Sequence, residues 1–242
     1  DVAGATKQQL YTAYYHSDHS TLAGYVGNAN ALSSEATNDL MIRSVNDFHI
    51  GTNNSGTVRF TVLSGGNVGI GPSTPTAGTS NTRFGVNAGN SIASGGNYNV
   101  LIGDEAGTAI TTGDFNVAVG FEALKTEDAN GKNIAIGYQA LKVLDVGSDG
   151  FNTVIGYQAG VSLNTGTVNT LIGHQAGDAL TTGNNNVAVG HEALGAEVQG
   201  DQSVAVGVGA LQAQTNSTDV DVNNTAVGYN AGLSITAGTF NT

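Results

Sequence analysis

A nine-residue pattern of polar and apolar positions recurs along the last two-thirds of the chain. Its clearest copies are residues 116–124 (NVAVGFEAL), 133–141 (NIAIGYQAL) and 186–194 (NVAVGHEAL). Nine copies are present, and their central glycines most often recur about every 17 residues, with some longer spacings. These phrase glycines are Gly85, Gly103, Gly120, Gly137, Gly156, Gly173, Gly190, Gly207 and Gly228. A short fixed period of this kind predicts a stacked repeat and not a single globular core.

The residues before each phrase glycine predict a short strand. From the second copy on, the residue directly before the glycine is Ile or Val, and the one before that is Ala, Leu or Val. Branched residues on one face and small apolar residues on the other are typical of a strand buried on both faces. Since one period is long enough for two short strands and two turns, we predict an all-β chain with a parallel β-roll or β-helix of about 17 residues per coil.

A second period spans four copies. The fourth residue after the phrase glycine is Gly in two successive copies and Leu in the next two, and residues 99–124 return in similar form as residues 169–194. Two insertions, residues 142–151 and 212–223, occupy the same place in this larger period, so they should emerge on one side of the rod. Loops on a rigid scaffold often carry recognition. The polar residues that we predict to bind there are Asp145, Ser148, Asp149, Asn216, Thr218, Asp219 and Asp221.

The first third of the chain is organised differently. Residues 1–37 form a connector rich in small residues, and residues 38–76 alternate like the strands of a small sheet, at 40–44, 47–51, 57–63 and 67–71. Pro72 and Pro75 mark the boundary to a repeat domain over residues 77–242. Asn241 follows Asn224 at the commonest repeat spacing, so a tenth copy is expected to begin there.

Composition narrows the class of partner. The chain has 36 glycines, a net charge of −12 and no cysteine. A thin coil buries too little side chain alone, which favours a homo-oligomer in which a second copy covers the outer strand face. The acidity disfavours nucleic acid, since phosphates would be repelled. The sequence holds no apolar run long enough to insert in a membrane.

Two columns of the repeat and one histidine pair outside it could carry chemistry, and each has a structural alternative. The residue after the phrase glycine is aromatic in Tyr138, Tyr157 and Tyr229, which suits stacking on sugar rings but also suits ordinary packing between coils. His174 and His191 fall in the same column, one coil apart, but no nearby third metal ligand is specified. His16 and His19 are a second histidine pair, in what reads as an exposed polar turn.

Carboxylates occur in the next column, at Glu105, Glu122 and Glu192. Paired carboxylates are typical of glycan-cleaving enzymes. However, other copies carry glutamine there (Gln139, Gln158, Gln175), an exchange that a solvated edge tolerates and a hydrolase does not. We therefore predict no catalytic residue, no metal and no cofactor.

Each copy from the second on, except one, opens with asparagine. The positions are Asn99, Asn116, Asn133, Asn152, Asn169, Asn186, Asn224 and Asn241, with Ser203 as the exception. Stacked asparagine side chains can hydrogen-bond from coil to coil, so we interpret this column as structural.

Residues 38–75 resemble a strand-rich module of bacteriophage tail fibres, whose sequences carry the phrase RF-x-V-x-x-x-GNVGIG-x-x-x-P, here at residues 59–75. Residues 19–36 are similar to the small-residue shaft segments of those fibres, and residues 224–232 (NTAVGYNAG) resemble their repeats. Residues 203–207 (SVAVG) are similar to a phrase of trimeric autotransporter adhesin heads, which use a shorter coil. This resemblance implies a parallel homotrimer that binds a surface.

The combined expectation is a non-enzymatic tail-fibre protein of a phage virion, serving extension and attachment. Its expected partners are two further copies of the chain, other tail or baseplate proteins of the virion, and a glycan or protein of the host surface. The first alternative is the head of a bacterial trimeric adhesin at the cell surface, and the second is a glycan-cleaving tailspike enzyme.

Overall fold

The computed structural model describes the strands within residues 11–15, 22–28, 40–44, 48–51, 58–62 and 68–70, and residues 78, 80–216, 218 and 220–242. Within these residues the regular secondary structure is β-strand, and no helix occurs. The predicted all-β class is confirmed.

The N-terminal strands form antiparallel sheets. They are β1 Tyr11–Tyr15, β2 Leu22–Asn28, β3 Leu40–Ser44, β4 Phe48–Gly51, β5 Val58–Val62 and β6 Val68–Ile70. Strands β1, β2 and β3 pair in that order, and β4, β5 and β6 pair antiparallel in turn. Strand β6 then pairs in parallel with β7 (Thr82–Phe84), so β4, β5 and β6 share one 12-stranded sheet with the repeats, whereas β3 of the predicted module pairs with β2.

The repeats form a parallel β-solenoid of nine stacked strands. After β7 these strands are β8 Val100–Ile102, β9 Val117–Val119, β10 Ile134–Ile136, β11 Thr153–Ile155, β12 Thr170–Ile172, β13 Val187–Val189, β15 Val204–Val206 and β17 Thr225–Val227. They stack in register, so that Ala118 lies beside Ala135 and Val119 beside Ile136, and they enclose about eight turns. At a strand spacing of about 4.8 Å, the stack is roughly 38 Å long.

Most coils contain one strand and not the two that we expected. The remaining residues form turns whose backbone groups still pair with the next coil, as in the bonds from Gly107 N to Ala123 O (2.9 Å) and from Ala109 N to Lys125 O (3.1 Å). A second strand pair occurs between β14 (Gly200–Asp201) and β16 (Val220–Asp221). The turns replace the second strand because the chain must change direction several times within a single short coil.

Corners of each coil use backbone conformations with positive φ. Gly120 has φ of 132°, and a Cβ placed there would lie 2.4 Å from the carbonyl oxygen of Gly137 on the next coil. No larger residue fits that close approach. Among the residues that the structure describes, twenty-two non-glycine residues also have positive φ, including the β-branched Val168 at 60°. Each costs about 1 kcal/mol or more, which packing and coil-to-coil hydrogen bonds must offset.

The asparagine column forms the predicted ladder. Asn116 N donates to Asn99 Oδ1 (2.9 Å), and Asn186 N donates to Asn169 Oδ1 (3.0 Å). The side-chain amides donate onward to backbone carbonyls, as from Asn169 Nδ2 to Gly183 O at 2.8 Å. These side chains are buried, so the ladder lines the inside of one corner and satisfies groups that would otherwise lack partners.

In seven consecutive coils, the space between the strand and the opposite corner is filled by a larger side chain from one of the two sides. In the coil of Leu101, the strand supplies the leucine and the corner is Gly107. In the next coil the strand has Ala118, and the corner is Leu124 at φ of 50°. Seven consecutive coils follow this rule, through the pairs Leu101/Gly107, Ala118/Leu124, Ala135/Leu141, Val154/Gly160, Leu171/Gly177, Ala188/Leu194 and Ala205/Leu211.

Burial explains why leucine is tolerated at a corner that favours glycine. A positive φ costs leucine about 1–2 kcal/mol, whereas full burial of its side chain contributes about 2–3 kcal/mol. Leucine cannot occupy the corner when a large residue of the strand already fills the space. A Cβ on Gly107 would lie 2.8 Å from Leu101 Cδ2.

We expect this exchange to be reproducible by mutation. Leu124→Gly should destabilise by about 2–4 kcal/mol, since it leaves a cavity but relieves the corner. Ala118→Leu should cost about 1–3 kcal/mol by overpacking. The destabilisation of the double variant should be smaller, by at least about 1 kcal/mol, than the sum of the two single destabilisations. The free energies of unfolding are measured from urea midpoints at one protein concentration. Strict additivity of the two changes would contradict the rule.

Candidate functional site

One side of the solenoid is an uncharged face, the outer strand face, which we define as the first and third residues of the nine stacked strands. Each of these positions is Val, Ile, Phe or Thr, and none is charged. The middle residue of each strand points into the coil, while its neighbours are half-buried or exposed in the single chain. The strands are therefore buried on one face only, and the second face requires a partner to be covered.

Aromatic columns border this face at the two strand ends. After the phrase glycine, the rings of Phe121, Tyr138, Tyr157, His174 and His191 stack one on the next, with centroids 4.9–5.5 Å apart. Before the asparagine column, the rings of Tyr98 and Phe115 stack at 5.0 Å, and Lys132 Nζ lies 5.2 Å from the ring centroid of Phe151. The face is thus widened by exposed apolar side chains.

The stacking changes the sugar-binding interpretation of the aromatic column. Each ring face of Tyr138 and Tyr157 is covered by the neighbouring ring, with interplanar angles of 7–16°. A sugar that stacks on tyrosine needs a free ring face, so these two residues offer only their edges. Tyr229 lies beyond Val208 in the same column and is 79% exposed. It is therefore the most exposed of the three predicted tyrosines.

The two histidines behave as members of the ring stack. Their planes are inclined by 17° with centroids 4.9 Å apart, so the in-plane nitrogen lone pairs run side by side and do not converge on one ion. His191 Nε2 lies 3.8 Å from Glu192 Oε1. His16 and His19, the other histidine pair, lie outside the described residues.

The glutamate column is bound into an ion-pair network. Glu122 accepts hydrogen bonds from Lys125, Lys142 and Gln139, each at 2.7 Å, and Lys125 also pairs with Glu105 at 2.5 Å. The two lysines and the glutamine hold the pKa of Glu122 at about 2, below its usual 4.5. A carboxylate this acidic stays ionised at neutral pH and is a poor proton donor, which suits a structural role.

The predicted binding residues of the two insertions separate into exposed and internal groups. Asp145, Ser148, Thr218 and Asp221 are exposed. Asn216 is buried, and Asp149 pairs with Lys132 and accepts from Gly131 N at 3.3 Å. Asp219 lies outside the described residues. The exposed group is thus the part of the loops available to a ligand.

Sequence reasoning missed two buried carboxylates. Glu127 and Glu197 are fully buried and occupy equivalent positions in the second period. Each accepts a backbone amide from the following insertion, namely Val146 N (3.4 Å) and Asn216 N (3.0 Å). Both lie at the seventh position after a phrase glycine, where most coils have Ile or Leu. Alignment of the copies at this position would have exposed them as polar residues in an apolar column.

The two insertions differ in charge around the buried glutamate. Carboxylate oxygens of Glu127, Asp128 and Asp145 lie within 4.8 Å of one another. Around Glu197 the matching positions are Val198 and Thr215, and amide side chains supply hydrogen bonds. The first insertion is therefore the more acidic one at its base.

No protein-family model matches the chain, and the searches of curated proteins and of solved structures returned no match. The resemblance to tail fibres therefore rests on the sequence phrases alone. Within the described residues, no helix is long and apolar enough to cross a membrane.

The ion-pair network gives a test of the structural interpretation of Glu122. Because its pKa is lowered, its contribution to stability is present above pH 4.5 and is lost as the pH falls towards 2. Glu122→Gln should lower the free energy of unfolding by about 1 kcal/mol at pH 7, a value discounted for the partly exposed lysines. At pH 2 the variant and the parent should be alike. Glu105→Gln, which touches one lysine, is the matched control and should cost less.

Proposed function

We propose that the chain is a structural segment of a phage tail fibre that extends the fibre and attaches it to a host surface, without enzymatic activity. The observation that carries this proposal is an in-register stack of like coils with one uncharged, uncovered strand face. Such a scaffold gives length and self-association. The carboxylates that might have served a hydrolase are committed to ion pairs or buried in the coil.

The outer strand face supports assembly from several copies. About 38 Å of stack and a strand side about 15–20 Å wide, including the aromatic corners, give roughly 600–750 Å². This approaches the area that each partner contributes to a standard stable interface, about 800 Å². Because the chain carries a net charge of −12, association through charged surfaces would be repulsive, and an uncharged face avoids that cost. The copy number of three comes from the resemblance to trimeric fibres.

The tail-fibre proposal is favoured over the adhesin-head alternative by the coil length. The phrase glycines recur at intervals of about 17 residues or more, so these coils are longer than those of the adhesin heads. In the tail-fibre proposal the protein resides in the virion, beside other tail or baseplate proteins.

The assembly is testable by mass and shape. Three chains of 24.3 kDa should give about 73 kDa by light scattering, with a low sedimentation coefficient for that mass because the particle is elongated. Val119→Glu combined with Val189→Glu places charges on the outer strand face and should yield single chains. Thr112→Glu combined with Thr165→Glu, two exposed positions off this face, is the charge-matched control and should remain assembled.

A compact 24.3 kDa parent protein would contradict the assembly. So would an assembled state that the two glutamates leave intact. A dimer would retain the face as an interface but contradict the fibre resemblance.

Attachment is tested at the exposed loop residues. Asp145→Ala with Ser148→Ala, or Thr218→Ala with Asp221→Ala, should lower adsorption of the labelled protein to host cells by at least about tenfold, the effect of losing about 1.4 kcal/mol. Circular dichroism and mass should stay unchanged, since these side chains are exposed. Thr112→Ala is the control outside the loops. Unchanged adsorption in both loop variants would contradict the recognition role.

A further inference from the structure

The inward column at the seventh position after the phrase glycine is mostly apolar, with three polar occupants. Glu127 lies between Ile110 of the preceding coil and Leu144 of the following coil. The full column is Ile92, Ile110, Glu127, Leu144, Leu163, Leu180, Glu197, Gln214 and Ile235. A carboxyl group in such a column is removed from water and must find its partners inside the coil.

Glu197 has a complete set of donors. Its carboxylate accepts from the backbone amides of Gly200 (2.8 Å) and Asn216 (3.0 Å). It also accepts from the side chains of Gln214 and Asn216, both at 2.8 Å. Hydrogen bonds of this number offset much of the cost of burying the carboxyl group.

The equivalent donors are missing around Glu127. The positions of Gln214 and Asn216 are taken by Leu144 and Val146, which bring no side-chain amide. Glu127 accepts from Asn130 N at 3.1 Å, from the Asn130 side chain and from Val146 N at 3.4 Å, which is a smaller set of donors than that of Glu197. Burial raises its pKa to about 7, and the charge of Asp145 acts in the same direction.

The charged groups around Glu127 reinforce this difference. Asp128 from its own coil and Asp145 from the following coil face it, whereas Ile110 and Thr111 stack from the preceding coil. The lysines of these coils are engaged elsewhere. Lys125 and Lys142 pair with Glu122, and Lys132 pairs with Asp149.

We propose that Glu127 is a proton-controlled latch for the insertion over residues 142–151. When protonated, it stays in the apolar column and holds the insertion through Val146 N. When ionised, it is a buried charge beside two acidic groups, and the base of the insertion opens to let water reach it. The second insertion, closed over Glu197, carries no such latch.

The pH window follows from the sign of the shift. In the unfolded or opened segment Glu127 titrates near 4.5, and in the closed segment near 7. Between these values the closed form binds more protons, so closing becomes less favourable as the pH rises, and the loss is complete once the pH exceeds about 7. The latch therefore holds in acid and releases on the alkaline side of neutrality.

The latch extends the proposed function, because the insertion that it controls carries Asp145 and Ser148, the exposed residues to which we assign attachment. The two ideas can fail separately. Opening is measured on the protein alone, without any host surface, and a latch that works would stand even if the loop variants adsorbed normally.

The test is backbone hydrogen exchange, expressed as protection factors, at pH 5.5, 7.0 and 8.5 in buffers with EDTA. The shift of pKa from 4.5 to about 7 predicts that protection of the amides of Asn130 and Val146 falls about 30-fold between pH 5.5 and 8.5. The amides of Gly200 and Asn216, held by Glu197, are the internal control and should change by less than about threefold.

Two variants isolate the carboxyl group. Glu127→Gln keeps the hydrogen-bond acceptor, and Glu127→Leu restores the residue type of the neighbouring coils; in each folded variant the pH dependence at Val146 should vanish. Asp145→Asn should move the parent transition to lower pH. The latch is overturned if Val146 keeps its protection at pH 8.5 in the parent, if both variants retain the decline, or if Asn216 declines equally.

Discussion

The structure depends on one constraint, which is that each coil must lie directly over the next, in register, at the spacing of two hydrogen-bonded strands. The strand pairs Ala118 with Ala135 and Val119 with Ile136 fix this register. Backbone groups outside the strands pair across the same gap, so the turns are stacked as well as the strands. Like residues therefore lie on like residues, and a column is stable only if its side chain tolerates a copy of itself about 4.8 Å away. Asparagine, glycine and planar rings all meet that condition.

Because of the same constraint, a different residue in one coil is compensated by residues in the neighbouring coils. Ser203 breaks the asparagine ladder, and Gln214 repairs it by donating to Ser203 Oγ at 3.1 Å and accepting from Asn224 Nδ2 at 2.7 Å. Gln214 sits in the inward column that is otherwise mostly apolar, and Glu197 below it accepts its second hydrogen bond. The polar residue in the inward column is thus explained by the residues of the asparagine column, which need it as a hydrogen-bond partner. At the equivalent positions one larger period earlier, Asn133 and Asn152 continue the ladder, and Leu144 lies where Gln214 does.

The sequence allowed the period, the strand positions and the asparagine ladder to be predicted, because each of these appears as a repeated residue at a fixed spacing. The division of the interior between Ala118 and Leu124 was not predicted, although both residues belong to the repeated phrase. That division is a contact across the coil, and it becomes visible only when the turns that close the coil are known. Expecting a second strand hid it, since a strand would have placed Leu124 differently. Glu127 escaped notice because the repeated phrase ends at the fourth residue after its glycine, whereas the column to which Glu127 belongs lies at the seventh.

In-register stacking also separates the surfaces of the rod by chemistry. The strand side repeats Val and Ile and can bear no charge, since a column of like charges at this spacing would repel along its whole length. Charges lie instead at corners, where Lys125 and Lys142 can alternate with Glu105 and Glu122, or in the insertions, which interrupt the columns. A few lie inside the coils, at Arg83, Glu127 and Glu197. Within the described coils, the insertions are the segments whose residues do not repeat from one coil to the next. In a fibre built on the strand side, specificity for a surface has to come from those interruptions, because a column that repeats every coil presents the same chemistry along the rod and cannot distinguish one position on a ligand from the next.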